Sequence, residues 1–219
     1  MNKDLYLHES ILLLSLDDQK GNFTTSISYL NYGFAAALIM DLVLDGRISI
    51  EDSMIKLKTN AITENKLLND ILRTIQNAKK PKKISNWLHT LVASNNKFIK
   101  KAIGNLIKKG ILIKTTKKFL WIFNVSRYPT INVQSENKMR ERLQQIIFED
   151  LEPEQKEIIL LTIVQSCKML KDLISDKEER KVAKSKIIEL TEDSEIRKLI
   201  GNTIEEMETI ATMVTTTAI

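Results

Sequence analysis

The clearest chemical signature in this sequence is basic. No Asp or Glu lies between Asp70 and Glu136, and those 65 residues carry 12 Lys and two Arg. The segment is therefore +14 in a chain of formal net charge +5, which leaves −9 for the remainder. A solvated, lysine-rich surface accounts for the abundance of Lys but not for the missing carboxylates. The asymmetry points to a surface for polyanions, either nucleic acid or anionic lipid. Within it, a helix predicted over Lys97–Lys109 puts Phe98, Ile99, Ala102, Ile103, Leu106 and Ile107 on one half and Lys97, Lys100, Lys101 and Lys108 on the other. These four lysines are the candidate headgroup ligands. Gly104 falls among them, where a phosphate could approach the backbone, although a packing contact explains that glycine as well.

The second candidate feature is apolar. Ile111–Ile113 and Phe119–Phe123 are β-prone runs joined by the polar stretch Lys114–Lys118, which reads as a hairpin. Alternation puts Leu120 and Ile122 on one face and Phe119, Trp121 and Phe123 on the other. Thr115, Thr116, Lys117, Lys118, Phe119, Leu120 and Trp121 are the expected membrane-inserting end. Exposed, Trp121 would suit a membrane interface; in a strand covered on both faces it would be core, and the sequence allows both. Lysines facing an anionic bilayer contribute about 1 kcal/mol each, which is enough for reversible recruitment.

Residues for catalysis are sparse. His8 and His89 are the only histidines and each falls on a predicted helix as a structural residue; Cys167 is the single cysteine. There is no Gly-rich phosphate loop and no carboxylate pair in the basic zone, so binding rather than catalysis is expected, with no metal and no cofactor.

The elements that must position these residues are mostly helical, as the Leu, Ile, Lys and Glu content favours, with six Gly and three Pro. Helices are predicted over Asp4–Leu16, Thr25–Leu44, Ile62–Asn77, Ile84–Val92, Lys97–Lys109, Asn137–Glu149, from Pro153 at a first-turn position to Ile174, after a Ser175–Glu178 capping box, and from about Ser194. Arg47–Ile50 is strand-like, Asp17–Gly21 a turn, and Lys79–Lys83 an exposed break at Pro81. The expectation is a mainly α protein, a single compact helical domain over residues 1–219 with a projecting β-hairpin. The amino terminus lacks a signal-peptide pattern, and continuous apolar runs fall short of the roughly 18 residues a spanning helix needs. A lone thiol fits a reducing, cytoplasmic setting, with any membrane contact peripheral.

The order Leu5, Leu7, Glu9, Leu12–Leu14, then Gly21, Leu44–Ile48, Trp87, Leu106–Leu112, Phe119–Phe123 and Pro129 resembles the Golgi phosphoprotein 3 family. The resemblance implies a helical fold with one projecting hairpin whose apolar end enters the membrane, and recognition of phosphatidylinositol 4-phosphate. The family's pocket tryptophan falls on Ser26, its arginine on Ala35 and its two basic residues on Asn96 and Ile99, with Lys97 and Lys100 one step away. Recognition of anionic membrane lipids, phosphoinositide or other acidic phospholipid, is thus implied without strong preference for phosphatidylinositol 4-phosphate. The resemblance leaves room for a membrane-protein client and a homo-oligomer. The chain begins at the first helix without the basic tail of eukaryotic members, as in a bacterial-type relative. The alternative is a winged-helix-like nucleic-acid-binding protein, since a basic helix, a Gly and a hairpin also describe a helix with its wing; the absence of Arg, Asn and Gln among the facing lysines argues against nucleic acid as the partner.

Overall fold

An 18-residue apolar helix, α2 (Ile27–Leu44), forms the axis of the computed structural model, which describes residues 5–119, 123–192, 198 and 201–202. Every α2 position from Tyr32 to Leu42 is buried. By length and composition this helix could cross a membrane, at a mean hydropathy of 1.5, although its longest unbroken apolar run is short. Its neighbours explain the apolarity instead: α1 (Leu7–Leu14), α3 (Lys66–Gln76), α4 (Ile84–Val92), α5 (Asn95–Lys108) and α7 (Gln155–Ser166) all pack on it. A helix enclosed on all sides needs no polar face. Gly33 lets α7 approach: a Cβ there would lie 3.1 Å from Cys167 Sγ. Cys167 is fully buried, which pushes its thiol pKa up.

α1 is apolar on more than one side. All eight residues are buried, His8, Glu9 and Ser10 included. The polar ones are met in part by Asp41 of α2, by Tyr6 and by Lys109. Asp41 of α2 accepts hydrogen bonds from Leu7 N (2.8 Å) and His8 N (3.1 Å), and its Oδ2 lies 2.5 Å from His8 Nδ1. Glu9 Oε2 accepts from Tyr6 N at 3.0 Å. Both carboxylates satisfy amides that the first turn of a helix leaves without partners.

Nine helices occur among the described residues, completed by α6 (Gln134–Phe148), α8 (Leu170–Leu173) and α9 (Lys177–Leu190), and buried residues from Leu5 to Ile187 join one hydrophobic core. The fold is mainly α, as expected, with several shifted boundaries. α3 starts at Lys66 rather than Ile62, because Asn65 caps it through Leu67 N (2.9 Å). α5 starts at Asn95 rather than Lys97, and Asn95 lies buried in its first turn and donates to Asn31 O on α2. Pro153 precedes the α7 N-cap, Glu154, and this helix ends at Ser166, before Lys168 adopts φ +52°. Asp176, not Ser175, caps α9 through Glu178 N and Glu179 N. The helix expected from about Ser194 falls almost wholly outside the described residues.

Two antiparallel hairpins occur among the described residues, where one was expected. β1 (Ile48–Glu51) pairs with β2 (Met54–Leu57) through a two-residue turn in which Asp52 (φ +51°) and Ser53 (φ +63°) both take the left-handed conformation a tight hairpin requires. The second hairpin differs from the expected pairing. β3 is Thr115–Phe119, the stretch read as a polar connection, and β4 is Phe123–Arg127. They pair from Thr115 opposite Arg127 to Phe119 opposite Phe123, and an isolated bridge, Leu112 to Thr130, continues the same register. Ile111 and Leu112 are buried at the root and do not pair with Phe119–Phe123. A strand wet on both faces needs no apolar alternation, so Thr and Lys compose it readily.

The root rests on Gly21 (φ +62°), whose carbonyl accepts from Tyr128 N at 2.8 Å. A Cβ on Gly21 would lie 2.3 Å from Tyr128 N and from Pro129 N, whereas one on Gly46 (φ +65°) would meet nothing within 4 Å. Gly46→Ala should therefore cost about 1 kcal/mol from the left-handed backbone alone, and Gly21→Ala about 3 kcal/mol or more. Urea unfolding of the two variants measures the difference; equal costs would mean that the root yields freely around position 21.

Candidate functional site

Helix α5 presents its lysines as the wheel places them. Lys97, Lys100, Lys101 and Lys108 are exposed, while Phe98, Ile99, Ala102, Ile103 and Leu106 are buried. A Cβ on Gly104 would meet nothing within 4 Å, so packing does not require that glycine. The fold nevertheless divides the four lysines. Lys101 reaches across to Asp70 on α3, an exposed ion pair of small energetic worth that still neutralises local charge. Lys108 lines a cleft of about 810 Å³ whose walls mix Glu9, Asp41, Asp45 and Glu64 with Lys66, Lys109 and Lys156. No Asp or Glu lies near Lys108 in sequence, yet the tertiary structure supplies several.

Lys109 is drawn further in. Its Nζ lies 2.7 Å from Glu9 Oε2 and 5.6 Å from the Tyr6 ring centroid. Glu9 is fully buried, so this pair is structural. Across the cleft Lys156 donates to Leu5 O; burial pushes its pKa down, against the pull of Asp41 and Glu9. Asp45 on the same wall is pushed up by desolvation and by Asp41.

Of the four family pocket positions, two face the core: Ala35 is fully buried and Ile99 is 6% exposed. Ser26 is the exposed N-cap of α2 and Asn96 is exposed. His8 is buried against Asp41, and His89 Nδ1 pairs with Tyr32 Oη at 2.8 Å, so both histidines have structural partners. The Lys79–Lys83 break is exposed, with Lys82 Nζ 5.0 Å from the centroid of the buried Trp87 ring.

The β3–β4 hairpin stands in solvent: Ile113–Lys118 and Asn124–Ser126 are all exposed. Thr115, Thr116, Lys117 and Lys118 thus lie on its outgoing arm, and Phe119 ends that arm opposite Phe123. Leu120 and Trp121 lie outside the described residues. Beside the root, the turn Asp17–Asn22 closes on Asp17, whose Oδ1 accepts from Gln19 N (3.1 Å) and Lys20 N (2.7 Å). Asp18 holds Thr130 twice, through Thr130 N (2.9 Å) and Thr130 Oγ1 (2.7 Å). Between turn and hairpin runs a groove of about 360 Å³ lined by Gln19, Lys20, Asn22, Thr115, Lys117 and Arg127. Lys20, Asn22 and Arg127 escape sequence reasoning because no local pattern links the turn to the hairpin.

Behind this root, Glu136 is buried with Arg140 Nε 2.7 Å from its Oε1. Burial raises its pKa from the ordinary 4.5 to about 7; Arg140 opposes the shift and Asp18 adds to it. The folded chain thus retains a proton that the unfolded chain releases between those two values, so stability falls as pH rises from 4.5 through 7. Glu136→Gln should flatten that fall by on the order of 3 kcal/mol in denaturant unfolding followed across pH. An unchanged profile would mean that Arg140 keeps the carboxylate ionised. A second substitution separates structural from free lysines. Lys109→Met should cost about 3 kcal/mol by leaving Glu9 buried without its cation, whereas Lys97→Met should stay within about 0.5 kcal/mol of the parent in the same assay.

The family profile described as Golgi phosphoprotein 3 (GPP34) matches residues 7–207. The chain is also 23% identical over 164 residues to vacuolar protein sorting-associated protein 74 of Eremothecium gossypii, covering 65% of this chain and 49% of that protein. It therefore spans about half the length of that curated relative. The profile match runs from the first residue of α1 beyond the end of α9, taking in the central helix, the basic α5 and the solvent-standing hairpin, and by that extent the chain belongs to the Golgi phosphoprotein 3 (GPP34) family.

Proposed function

We propose that this protein binds reversibly to the face of an anionic membrane, with the β3–β4 hairpin as the inserting element and basic side chains around it holding the headgroups. The observation that carries the reading is the hairpin's position. Its described residues from Lys114 to Lys118 and from Asn124 to Ser126 are exposed, while the sequence between its strands is Leu120-Trp121-Ile122. Apolar residues between two arms, the first bearing Lys114, Lys117 and Lys118 and the second Arg127, are arranged for an interface with an apolar interior and an anionic surface. The name of the relative in Eremothecium gossypii, which refers to protein sorting to the vacuole, suits work at membranes.

The role is recruitment rather than catalysis, peripheral and on the cytoplasmic side, with a membrane-protein client as the further partner class. The burial of positions 35 and 99 supports recognition of negative charge over a preference for phosphatidylinositol 4-phosphate. Lys97 and Lys100 contribute to the basic surface; Lys101 contributes less while Asp70 holds it.

Cosedimentation with vesicles tests this. Binding to phosphatidylglycerol vesicles should weaken with salt, and Trp121 emission should shift to the blue while buried Trp87 stays silent. Leu120→Ser with Trp121→Ser should reduce partitioning by roughly 100-fold, at about 1.5 kcal/mol per apolar side chain withdrawn from the membrane, with the melting temperature unchanged. A steeply salt-dependent shift of duplex DNA without vesicle binding would sink the proposal in favour of nucleic acid.

A further inference from the structure

Resting on the membrane reading, we infer that the groove at the hairpin root, between Lys20, Lys117 and Arg127, is where this chain holds a phosphate group. α5 contributes only diffuse positive charge. The first reason is composition. Gln19, Lys20, Asn22, Thr115, Lys117 and Arg127 supply three cations and three neutral side chains able to donate, and no carboxylate lines the groove. One acid, Asp17, does stand beside Lys20. Its Oδ2 stands 4.0 Å from Lys20 Nζ, and its Oδ1 is occupied by the amides of Gln19 and Lys20. On α5, by contrast, Lys101 is paired with Asp70 and Lys108 stands in a cleft that includes four acidic residues. An anion gains more from clustered cations without competing carboxylates than from cations already engaged.

The second reason is how the groove is built. In the ladder, Thr115 pairs with Arg127 and Lys117 with Val125, so Thr115, Lys117 and Arg127 share one face of the hairpin. The turn that brings Lys20 to that face is fastened to the root by Gly21 O, Asp18 O and Asp18 Oδ1. These ties fix the spacing of the cations before any ligand arrives, which reduces the ordering cost of binding.

The third is depth. Lys117 is two residues from Phe119, the end of the ladder, and Thr115 is four. At about 3.4 Å per residue these are about 7 and 14 Å. Each polar layer of a bilayer is roughly 5–8 Å thick outside the hydrocarbon. A hairpin whose end reaches hydrocarbon therefore carries Lys117 at the level of the phosphates, with the long side chains of Lys20 and Arg127 just above. The chemistry recognised is a phosphate monoester or diester, which a lipid headgroup or a soluble phosphate ester could present.

The test uses the full chain, the neutralised triple variant Lys20→Gln/Lys117→Gln/Arg127→Gln, and Lys97→Gln/Lys100→Gln as control. On vesicles of equal phosphatidylglycerol and phosphatidylcholine, the triple variant should lose about 100-fold in partitioning, three basic side chains at about 1 kcal/mol each, and the control about tenfold or less. In solution, glycerol phosphate at millimolar concentration should shift the backbone amide resonances of Gln19–Asn22 and Thr115–Lys117 in the parent and control but not in the triple variant. Glycerol phosphate shifting α5 amides instead, or vesicle affinity surviving in the triple variant, would overturn the groove while leaving the membrane reading standing. Groove shifts in a parent protein that ignores all vesicles would uphold the groove as a site for soluble phosphate esters and remove the membrane reading. Resonances spread as in the parent show that the variant is folded.

Discussion

One buried carboxylate organises the amino-terminal half of this fold. Asp41, near the end of α2, accepts the amides of Leu7 and His8 and sits against the His8 imidazole. α1 has no exposed face, so its first-turn amides have no water to turn to, and each unmet buried donor would cost about 1–3 kcal/mol. Asp41 meets two of them from a neighbouring helix, and Glu9 meets that of Tyr6. The largely apolar α2 can carry Asp41 because α1 presents its polar end there. The two helices thus fix each other's position, and the remaining helices enclose the pair.

The second organising fact is the way charge is redistributed by folding. Along the chain, the stretch between Asp70 and Glu136 has no acidic residue, but in space acids from elsewhere meet some of its lysines. Lys101 meets Asp70 and Lys109 meets Glu9, each acid coming from outside the stretch. Pairs such as Lys109 and Glu9 belong to the architecture, because a buried acid without its cation is heavily penalised. What remains for a partner includes Lys117 and Arg127 on the hairpin, with Lys20 beside them at 4.0 Å from Asp17.

The hairpin is tied to the rest of the fold at its root. Gly21, Asp18 and Thr130 tie the root, and Ile111 and Leu112 anchor it in the core. From Lys114 to Lys118 and from Asn124 to Ser126 the arms are exposed. Such an arm is stable through its ladder and root alone, so its side chains are at liberty to be chosen for a partner.

The helical class, the burial of the central helix, the division of α5 into apolar and lysine halves and the membership suggested by the order of motifs were all legible in the sequence, because each depends on residues close together along the chain. Helical periodicity and the Gly stops after α2 and α5 are local signals. The β1–β2 hairpin was missed since its turn is Asp52-Ser53, without the glycine that usually marks left-handed backbone. The β3–β4 strands were displaced since hydrophobicity marks strands that bury a face, whereas Thr115–Lys118 and Asn124–Ser126 are exposed. Which lysines meet a carboxylate, that burial raises the Glu136 pKa to about 7, and that Lys20 joins Lys117 and Arg127 were decided by the tertiary structure alone. Those properties depend on desolvation and on distances between residues far apart in sequence, and no local pattern along the chain encodes either.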